Sequence, residues 1–509
     1  MAAKAFEPLT GARLMLAAVG LALANFIVIL DTTITNVSVP HIAGGLAISP
    51  SQGTWTITSY AVADAIAVPL TGWLVGRFGA YRMLVSCLCG FALFSMLCGL
   101  ARSIELLVLF RILQGLSGGP LMPLTQTLLM RIFPPEKMGA AMALWGMTTI
   151  SAPIFGPLIG GYISDEWSWP WIFYINIPAI AGALLIVTQL VKRYETPTRK
   201  ERIDSIGLVL LVLFVGSFQI MLDLGHDYDW FSSRFIVALA VIAAISFGAF
   251  LIWELTEAHP MVDLRVLRHR TMMFGAPAMA LGYGAFFSTI VLIPLWLQSV
   301  VGYTAGESGH VMALMGVFAV MMAPVAGKVI EKADVRIFIT AGMLWMAAML
   351  ALRMDWTVGA DWWTLALPQL LQGAGMTFFF IGLNTYSMSA VPAGEVASAA
   401  GVLAFMRTAT GAIGTALATS TWDANTRASR DAMVGTLNDA SGAITRMEAS
   451  GMSMVQARSS LERLVDGQAA TTALITMFGI AAVVMVSASG LVWFGPKPRL
   501  GAKAPVSGH

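Results

Sequence analysis

The stretch "RILQGLSGG" at residues 111–119 has an echo, "PQLLQGAGM", at 368–376. A second pair repeats the relation. "PLTGWLVGRFGAYR" (69–82) and "PVAGKVIEKADVR" (324–336) each place Pro three residues before Gly and then basic residues. The offsets, 258 and 255 residues, nearly agree. Chance agreement between short glycine-containing words is the alternative to a duplication. A duplication would make the chain a membrane protein of two repeated helical bundles.

The composition fixes the medium. Of the 509 residues, 57% are hydrophobic and 11% charged, less than half the charged share of a soluble domain. Apolar runs of about 20 residues, enough to cross a hydrocarbon core, recur along nearly the whole chain. Fourteen spans are expected, centred in the segments 13–38, 54–76, 81–101, 104–131, 138–163, 171–192, 205–223, 234–255, 272–297, 308–330, 335–353, 362–388, 394–422 and 470–494. The duplication leaves the seventh and eighth as extras. The expected organisation is therefore a first six-helix bundle (1–200), two linker helices (201–258) and a second six-helix bundle (259–509) with an outer polar segment at 424–468. With both ends in the cytoplasm, inner segments hold 20 of the 30 Lys and Arg and outer loops hold 8; Arg111 and Arg407 lie within spans. That bias is the positive-inside pattern. The first run is too long for a signal-peptide core, so it reads as a retained helix. The net charge of +2 says little about partners. Cys87, Cys89 and Cys98 share one span and read as small packing residues, and neither a metal nor a cofactor is expected.

"ILDTTITNVSVP" (29–40) puts the carboxylate of Asp31 inside the first span. An ionised acid there costs several kcal/mol and is seldom kept without a partner or a job. At about 100° per residue, Ser38, Asp31, Thr35, Thr32 and Asn36 fall within an arc of roughly 160°, which should face protein or water. Counting about 1.5 Å per residue puts Asp31 and Arg111 at similar depths, so an ion pair between them is geometrically open. Such a pair is either a permanent salt bridge or a site where proton uptake accompanies a conformational change. Asp64 is a second acid near mid-depth, either a further protonation or cation site or a hydrogen-bonded cavity residue. Arg407 either anchors the interface between the repeats or touches an anionic substrate. In "GPLIGGYI" (156–163), Gly156, Gly160 and Gly161 permit close helix contact beside a kink at Pro157. The segment 424–468 has helical spacing of apolar residues among charges. It is either a helix pair lying on the membrane interface or a docking element.

These words resemble the major facilitator superfamily, specifically its fourteen-span drug:proton antiporters of the EmrB/QacA type, and most of all the EmrB branch. "LDTTITNVSVPHI" resembles the acidic motif of the first helix and "GWLVGRFGAYR" the loop between helices two and three. "RILQGLSGG" is similar to the fourth-helix Arg-x-x-Gln-Gly motif and "GPLIGGYI" to the antiporter motif of helix five. Similarity continues through "WSWPWIFYINIP" (167–178), "QIMLDLGHDYDWF" (219–231) and "FMRTATGAIGTAL" (405–417). The resemblance implies an all-α fold of two six-helix bundles around a central cavity, with two linker helices. It implies export of amphipathic, drug-like compounds against inward proton flow in a bacterial inner membrane, with both termini cytoplasmic. It also implies a periplasmic membrane-fusion adaptor and an outer-membrane channel as partners, and no nucleic acid. Proton coupling falls on Asp31 and Arg111, with Asp64 as a further candidate. Packing and gating fall on Gln114, Gly115, Gly156, Pro157, Gly160 and Gly161. The inner-loop word lacks the acid usually found four residues after its first Gly, where Gly76 stands, while Gly72, Arg77, Gly79 and Arg82 keep its shape and positive charge.

Rival readings are weaker. "GLSGG" (115–119) matches the Gly-x-Ser-x-Gly of serine hydrolases, but the six histidines (41, 226, 259, 269, 310 and 509) fall in loops, span ends or the tail, away from it. No Walker-type phosphate loop is present. A closer rival is a facilitator or exporter of one metabolite or lipid with the same fold. The expected cavity is largely apolar, with Thr35, Asn36, Trp55, Tyr60, Tyr283, Phe378, Asn384 and Arg407 as its candidate contacts.

Overall fold

The computed structural model describes residues 9–198, 204–225, 227–258, 260–330, 333–392, 394–436 and 440–498. The expected junction at 200/201, His226, His259 and His509 lie outside them. Twelve helices are long and apolar enough to cross a membrane, and two bent pairs raise the number to fourteen. We label them α1 Gly11–Leu46, α2 Trp55–Ala67 with Thr71–Phe78, α3 Ala80–Gly99, α4 Ile104–Ile132, α5 Met138–Glu166, α6 Trp171–Leu190, α7 Ser205–Leu224 and α8 Arg234–Thr256. The second half follows as α9 Arg270–Trp296, α10 Ala305–Ile330, α11 Val335–Leu352, α12 Trp362–Met388, α13 Val396–Thr436 and α14 Met454–Leu491.

The starts of these helices are written in short polar side chains. Ser103, Asp204, Asp334, Asp361 and Ser453 each accept a backbone N–H of the first turn of α4, α7, α11, α12 and α14. At α14 the cap is reciprocal, because Gln456 returns a bond to the backbone of Ser453. Asp334 also holds the side chain of Arg336 at 2.8 Å, and that bond keeps its carboxyl below the usual carboxylate range. Pro40 does not end α1, which runs on to Leu46 and stops where Ala47 turns left-handed.

The two halves repeat one packing scheme. α1 lies against α5 and α6, as α9 lies against α13 and α14; α4 lies against α2 and α3, as α12 lies against α10 and α11. The halves meet along α5 with α10 and α2 with α13, which are again equivalent pairs. Small residues set the approach. A Cβ on Gly327 of α10 would stand 3.2 Å from the Gly139 carbonyl oxygen of α5, and one on Gly72 of α2 would stand 2.9 Å from Cα of Ser398 on α13. The linker helices α7 and α8 pair with each other through Trp253 Nε1, which donates to both oxygens of Asp204. α7 also touches α2 in one bundle and α13 in the other, so it straddles the boundary.

One expectation needs correction. Residues 424–468 do not form a helix pair separate from the spans and lying on the interface. α13 continues unbroken for 41 residues and α14 for 38, about 60 Å and 57 Å, roughly twice a hydrocarbon core. The extensions stay together, with Arg430 bonding Asp466 at 2.6 Å and Glu462 at 3.4 Å, and Trp422 Nε1 donating to the Ala470 carbonyl at 3.0 Å. A short helix, Ala440–Ala449, lies against α14. The physical reason is in the sequence: no proline interrupts 396–436, and Ala, Arg, Asp and Thr carry the helix on past the last apolar turn.

Candidate functional site

Asp31 on α1 is 1% exposed, and three donors surround its carboxylate. Arg111 Nη1 on α4 reaches Oδ2 at 2.6 Å; Gln114 Nε2 and Asn176 Nδ2 reach Oδ1 at 3.1 and 2.7 Å. The similar depths counted along α1 and α4 thus become a contact. Arg111 is fixed from other sides as well. Its Nη1 donates to Gln114 Oε1 (2.9 Å), its Nε donates to the Thr56 carbonyl (3.1 Å), and its guanidinium lies 4.2 Å from the Tyr60 ring centre. Behind Asn176, Ser95 accepts a bond from its amide (3.0 Å) and donates to the Phe173 carbonyl (2.8 Å). α1, α4 and α6 therefore meet at one carboxylate with α2 and α3 behind them, and charge-assisted bonds of this kind are the strong ones.

Every side-chain hydrogen bond to the Asp31 carboxylate comes from an N–H donor. Three N–H donors occupy three of the roughly four lone-pair sites of Asp31, so a proton there would add an O–H donor in need of an acceptor. One acceptor stands ready nearby, because Asn176 Oδ1 is buried without a partner. Rotating that amide would offer Oδ1 to a protonated Asp31, so the neutral form requires a different set of bonds.

The wall behind this carboxylate is a glycine seam. A Cβ on Gly160 of α5 would stand 3.0 Å from the Ile34 carbonyl oxygen and 3.2 Å from its Cα, and Gly156 faces Thr33 as closely. Polar bonds pin the same two helices along their length, from Asn25 to Thr148 (2.8 Å) and from Ser164 to Ser38 (2.8 Å). α5 bends by 42° between Pro153 and Leu158; the side chain of Pro157 lies outside the described residues. Gly161 is a correction, since nothing lies within 4 Å of a Cβ there. Gly160→Leu is accordingly expected to cost about 1–3 kcal/mol of stability through overpacking. Gly161→Leu should leave the unfolding midpoint in detergent unchanged, and thermal unfolding of the two variants side by side checks the pair. Gly115 serves the α4–α2 contact, where its Cβ would meet the Tyr60 carbonyl at 2.6 Å.

The duplicate site lacks the acid. Gln369 and Gln372 on α12 stand 258 residues after Arg111 and Gln114, and both accept from Nη2 of Arg353, a fully buried side chain just past α11. By the 255-residue offset of the inner-loop words Arg353 stands where the first half carries Cys98, and among the described residues no carboxylate pairs with it.

The expected cavity residues divide. Arg407 of α13 is 3% exposed, touches Met122 Sδ on α4, and lies 5.1 Å from the Trp145 ring and 5.7 Å from that of Tyr283. One turn along α4, Gln126 donates to Asn384 of α12 at 3.3 Å. Arg407, Tyr283 and Asn384 therefore gather at the boundary between the bundles, and Asp64 lies within electrostatic reach of both Arg407 and Arg111. Thr35 is buried with its hydroxyl turned back to the Asp31 carbonyl (2.7 Å). Four candidates lie elsewhere. Asn36 is exposed, at the edge of the polar arc, where the arc meets the helix surface. Tyr60 is buried against Arg111. Phe378 stacks on Phe338 of α11 (5.9 Å), and Trp55 lines a lateral groove. Trp145, Gln126, Met122 and Phe287, which stacks on Tyr283 at 4.5 Å, complete the boundary site.

At the inner loop, Gly79 has φ of +90°, which only glycine adopts without strain, and it separates α2 from α3. A carboxylate does stand at the N-terminus of α3, but it is Glu195, from beyond α6. It accepts the N–H groups of Tyr81 (3.0 Å) and Arg82 (3.1 Å), and Thr196 accepts that of Ala80 (2.8 Å). Negative charge there complements the helix dipole. The Arg82 side chain lies 3.8 Å from the same carboxylate, and Arg77 packs on Trp73 and Phe78. Ser117 of the Gly-x-Ser-x-Gly match donates to the Leu113 carbonyl of its own helix.

Comparison with known proteins agrees with this architecture. The family described as Major Facilitator Superfamily matches residues 21–415. The chain is 39% identical over 501 residues to "Multidrug export protein EmrB" of Escherichia coli (strain K12), covering 97% of this chain and 98% of that protein. It is 41% identical over 418 residues to "Fatty acid resistance protein FarB" of Neisseria gonorrhoeae, covering 82% of each. Among solved structures, the human organic anion transporter MFSD10 (TETRAN) superposes with a TM-score of 0.57 at 14% identity, covering 94% of this chain and 100% of that one, a likeness of fold.

Proposed function

Because the chain belongs to the Major Facilitator Superfamily, we propose that it exports amphipathic or hydrophobic compounds in exchange for protons entering through Asp31. The observation that carries this reading is the buried Asp31 carboxylate, satisfied as an anion by Arg111, Gln114 and Asn176 beside the close α1–α5 contact. Protonation breaks that set of bonds, and the helices it joins include α1 and α4, which carry the change toward the boundary between the bundles. The names of the relatives, multidrug export and fatty acid resistance, support a hydrophobic cargo.

The cargo site is the boundary cluster of Arg407, Tyr283, Trp145, Gln126 and Asn384, with Asp64 close enough to sense a bound charge. Aromatic faces and amides bind flat hydrophobic molecules with little demand on shape. Arg407 adds attraction for weak acids. The protein works in a bacterial inner membrane with both termini cytoplasmic, a topology supported by the positive-inside bias. On that topology the extended pair α13–α14 projects outward, which supports docking of a periplasmic adaptor and, through it, an outer-membrane channel. The bundles comprise 1–200 and 259–509, with 201–258 as linkers. A second reading, export of one lipid-like acid, draws on the relative named for fatty acid resistance.

The test uses purified wild-type protein in inside-out vesicles, with an imposed pH gradient and a fluorescent amphipathic dye. Concentrative dye uptake that collapses with the gradient is expected. Equilibration without concentration at any gradient would contradict antiport, and a cargo restricted to fatty acids would favour the second reading.

A further inference from the structure

The linker helix α7 does not pack flush against the first bundle. Between it and α2 and α4 lies a groove of about 520 Å³. α2 lines it with Trp55, Ser59, Ala63 and Ile66 at helical spacing, α4 with Ile112 and Leu116, and α7 with Val212 and Ile220 among others. From Trp55 to Ile66 the groove runs about 17 Å along α2, close to half a hydrocarbon core of about 30 Å. On the topology proposed above, that half is the outer one. Several of its walls open sideways, with Trp55 at 46% and Val212 at 42% exposure.

The outer mouth is polar. Asp223, next to the lining residue Leu224, is exposed and takes hydrogen bonds from Gln219 (3.1 Å) and from the hydroxyl of Thr58. Among the described residues no lysine, arginine or histidine pairs with it. Thr58, whose hydroxyl bonds Asp223, lines the groove beside that carboxylate, and Trp55 stands at its outer end, where an indole suits the water interface.

We propose that this groove holds one acyl chain of an outer-leaflet lipid whose head group is a primary ammonium, seated against Asp223. An apolar groove of this length facing hydrocarbon gains contacts when a chain fills it, whereas leaving it empty forfeits them. The tail alone confers no selectivity, because the surrounding lipid is equally apolar. The selectivity comes from the head. An unpaired carboxylate flanked by hydroxyl and amide groups accepts N–H donors and repels anionic heads. Since α7 also touches α13 of the other bundle, the lipid sits against a helix that spans the boundary.

The experiment is native mass spectrometry of the full chain released from nanodiscs holding equal amounts of phosphatidylethanolamine and phosphatidylglycerol. Wild type should retain phosphatidylethanolamine at least about fivefold over phosphatidylglycerol, a modest ratio for one charge-assisted contact. Asp223→Asn should bring that ratio near one at an unchanged unfolding midpoint, and Val212→Trp, which fills the groove, should remove the retained lipid. Leu116→Trp repeats the filling from α4 should the first variant fold poorly. A wild-type ratio near one, an unchanged ratio in Asp223→Asn, or full retention in both filled variants would overturn the proposal. Dye transport is read separately, so failure of the antiport reading and failure of this one remain distinct.

Discussion

Asp31→Asn is expected to lose concentrative efflux completely while still exchanging labelled for unlabelled substrate. One pH unit across the membrane is worth about 1.4 kcal/mol per proton, a factor of about ten in substrate ratio for one-to-one exchange. Asparagine keeps the size of the side chain and one acceptor oxygen for Arg111, but it cannot titrate. The accumulation ratio of the variant should therefore fall to one at any imposed gradient. Counterflow should survive, because Arg407, Tyr283 and Asn384 at the boundary between the bundles do not depend on Asp31 for their contacts. Concentrative uptake by the variant matching wild type would leave Asp31 as a permanent partner of Arg111 and move coupling to Asp64.

Arg111→Ala should damage the fold itself. Removing one partner of a buried pair leaves the other charge without compensation, at a cost of about 3–5 kcal/mol. Here both side chains are 1% exposed, so water cannot replace the guanidinium. Loss of Arg111 also removes the Nε bond to the Thr56 carbonyl and the cation packed on the ring of Tyr60. The double variant Arg111→Ala with Asp31→Asn removes the charge as well as its partner and should recover a large part of the loss. Thermal unfolding of the two single variants and the double gives the coupling between them. Additive effects would mean that Asp31 and Arg111 do not hold each other in the folded protein.

Most of the fold was legible because membrane spans announce themselves by length and composition. Fourteen apolar runs became twelve continuous helices and two bent pairs. The bend in α2 follows Ala67, at Val68 to Leu70, and that in α5 lies between Pro153 and Leu158. What was not legible was where hydrophobicity stops marking a helix. α13 and α14 leave the apolar register near Asp423 and Ala469 but keep helical hydrogen bonding, so a rule based on hydropathy cuts them short. At the site, Asp31 and Arg111 stood out because charge within a span is rare. Asn176, Ser95 and Thr56 did not, since neutral polar residues are common in spans and their convergence depends on how five helices cross. Asn176 alone left a trace, as a lone amide in an apolar run within "WSWPWIFYINIP". The helix face of an aromatic could not be read from the sequence: Phe378 stacks on Phe338 and Tyr60 lies on Arg111, while Trp145 lies over Arg407. Glu195 could not be anticipated at the inner loop, since it comes from more than a hundred residues away.

In this mechanism Asp31 is protonated in the substrate-free protein and becomes the ionised partner of Arg111 as substrate binds. The direct measurement is proton release from detergent-solubilised protein, followed with a pH indicator in weakly buffered solution as an amphipathic substrate is added with no gradient present. Wild type should release protons in proportion to substrate bound, and Asp31→Asn should bind substrate and release none. Equal release from the two proteins, or binding by wild type without release, would contradict the account.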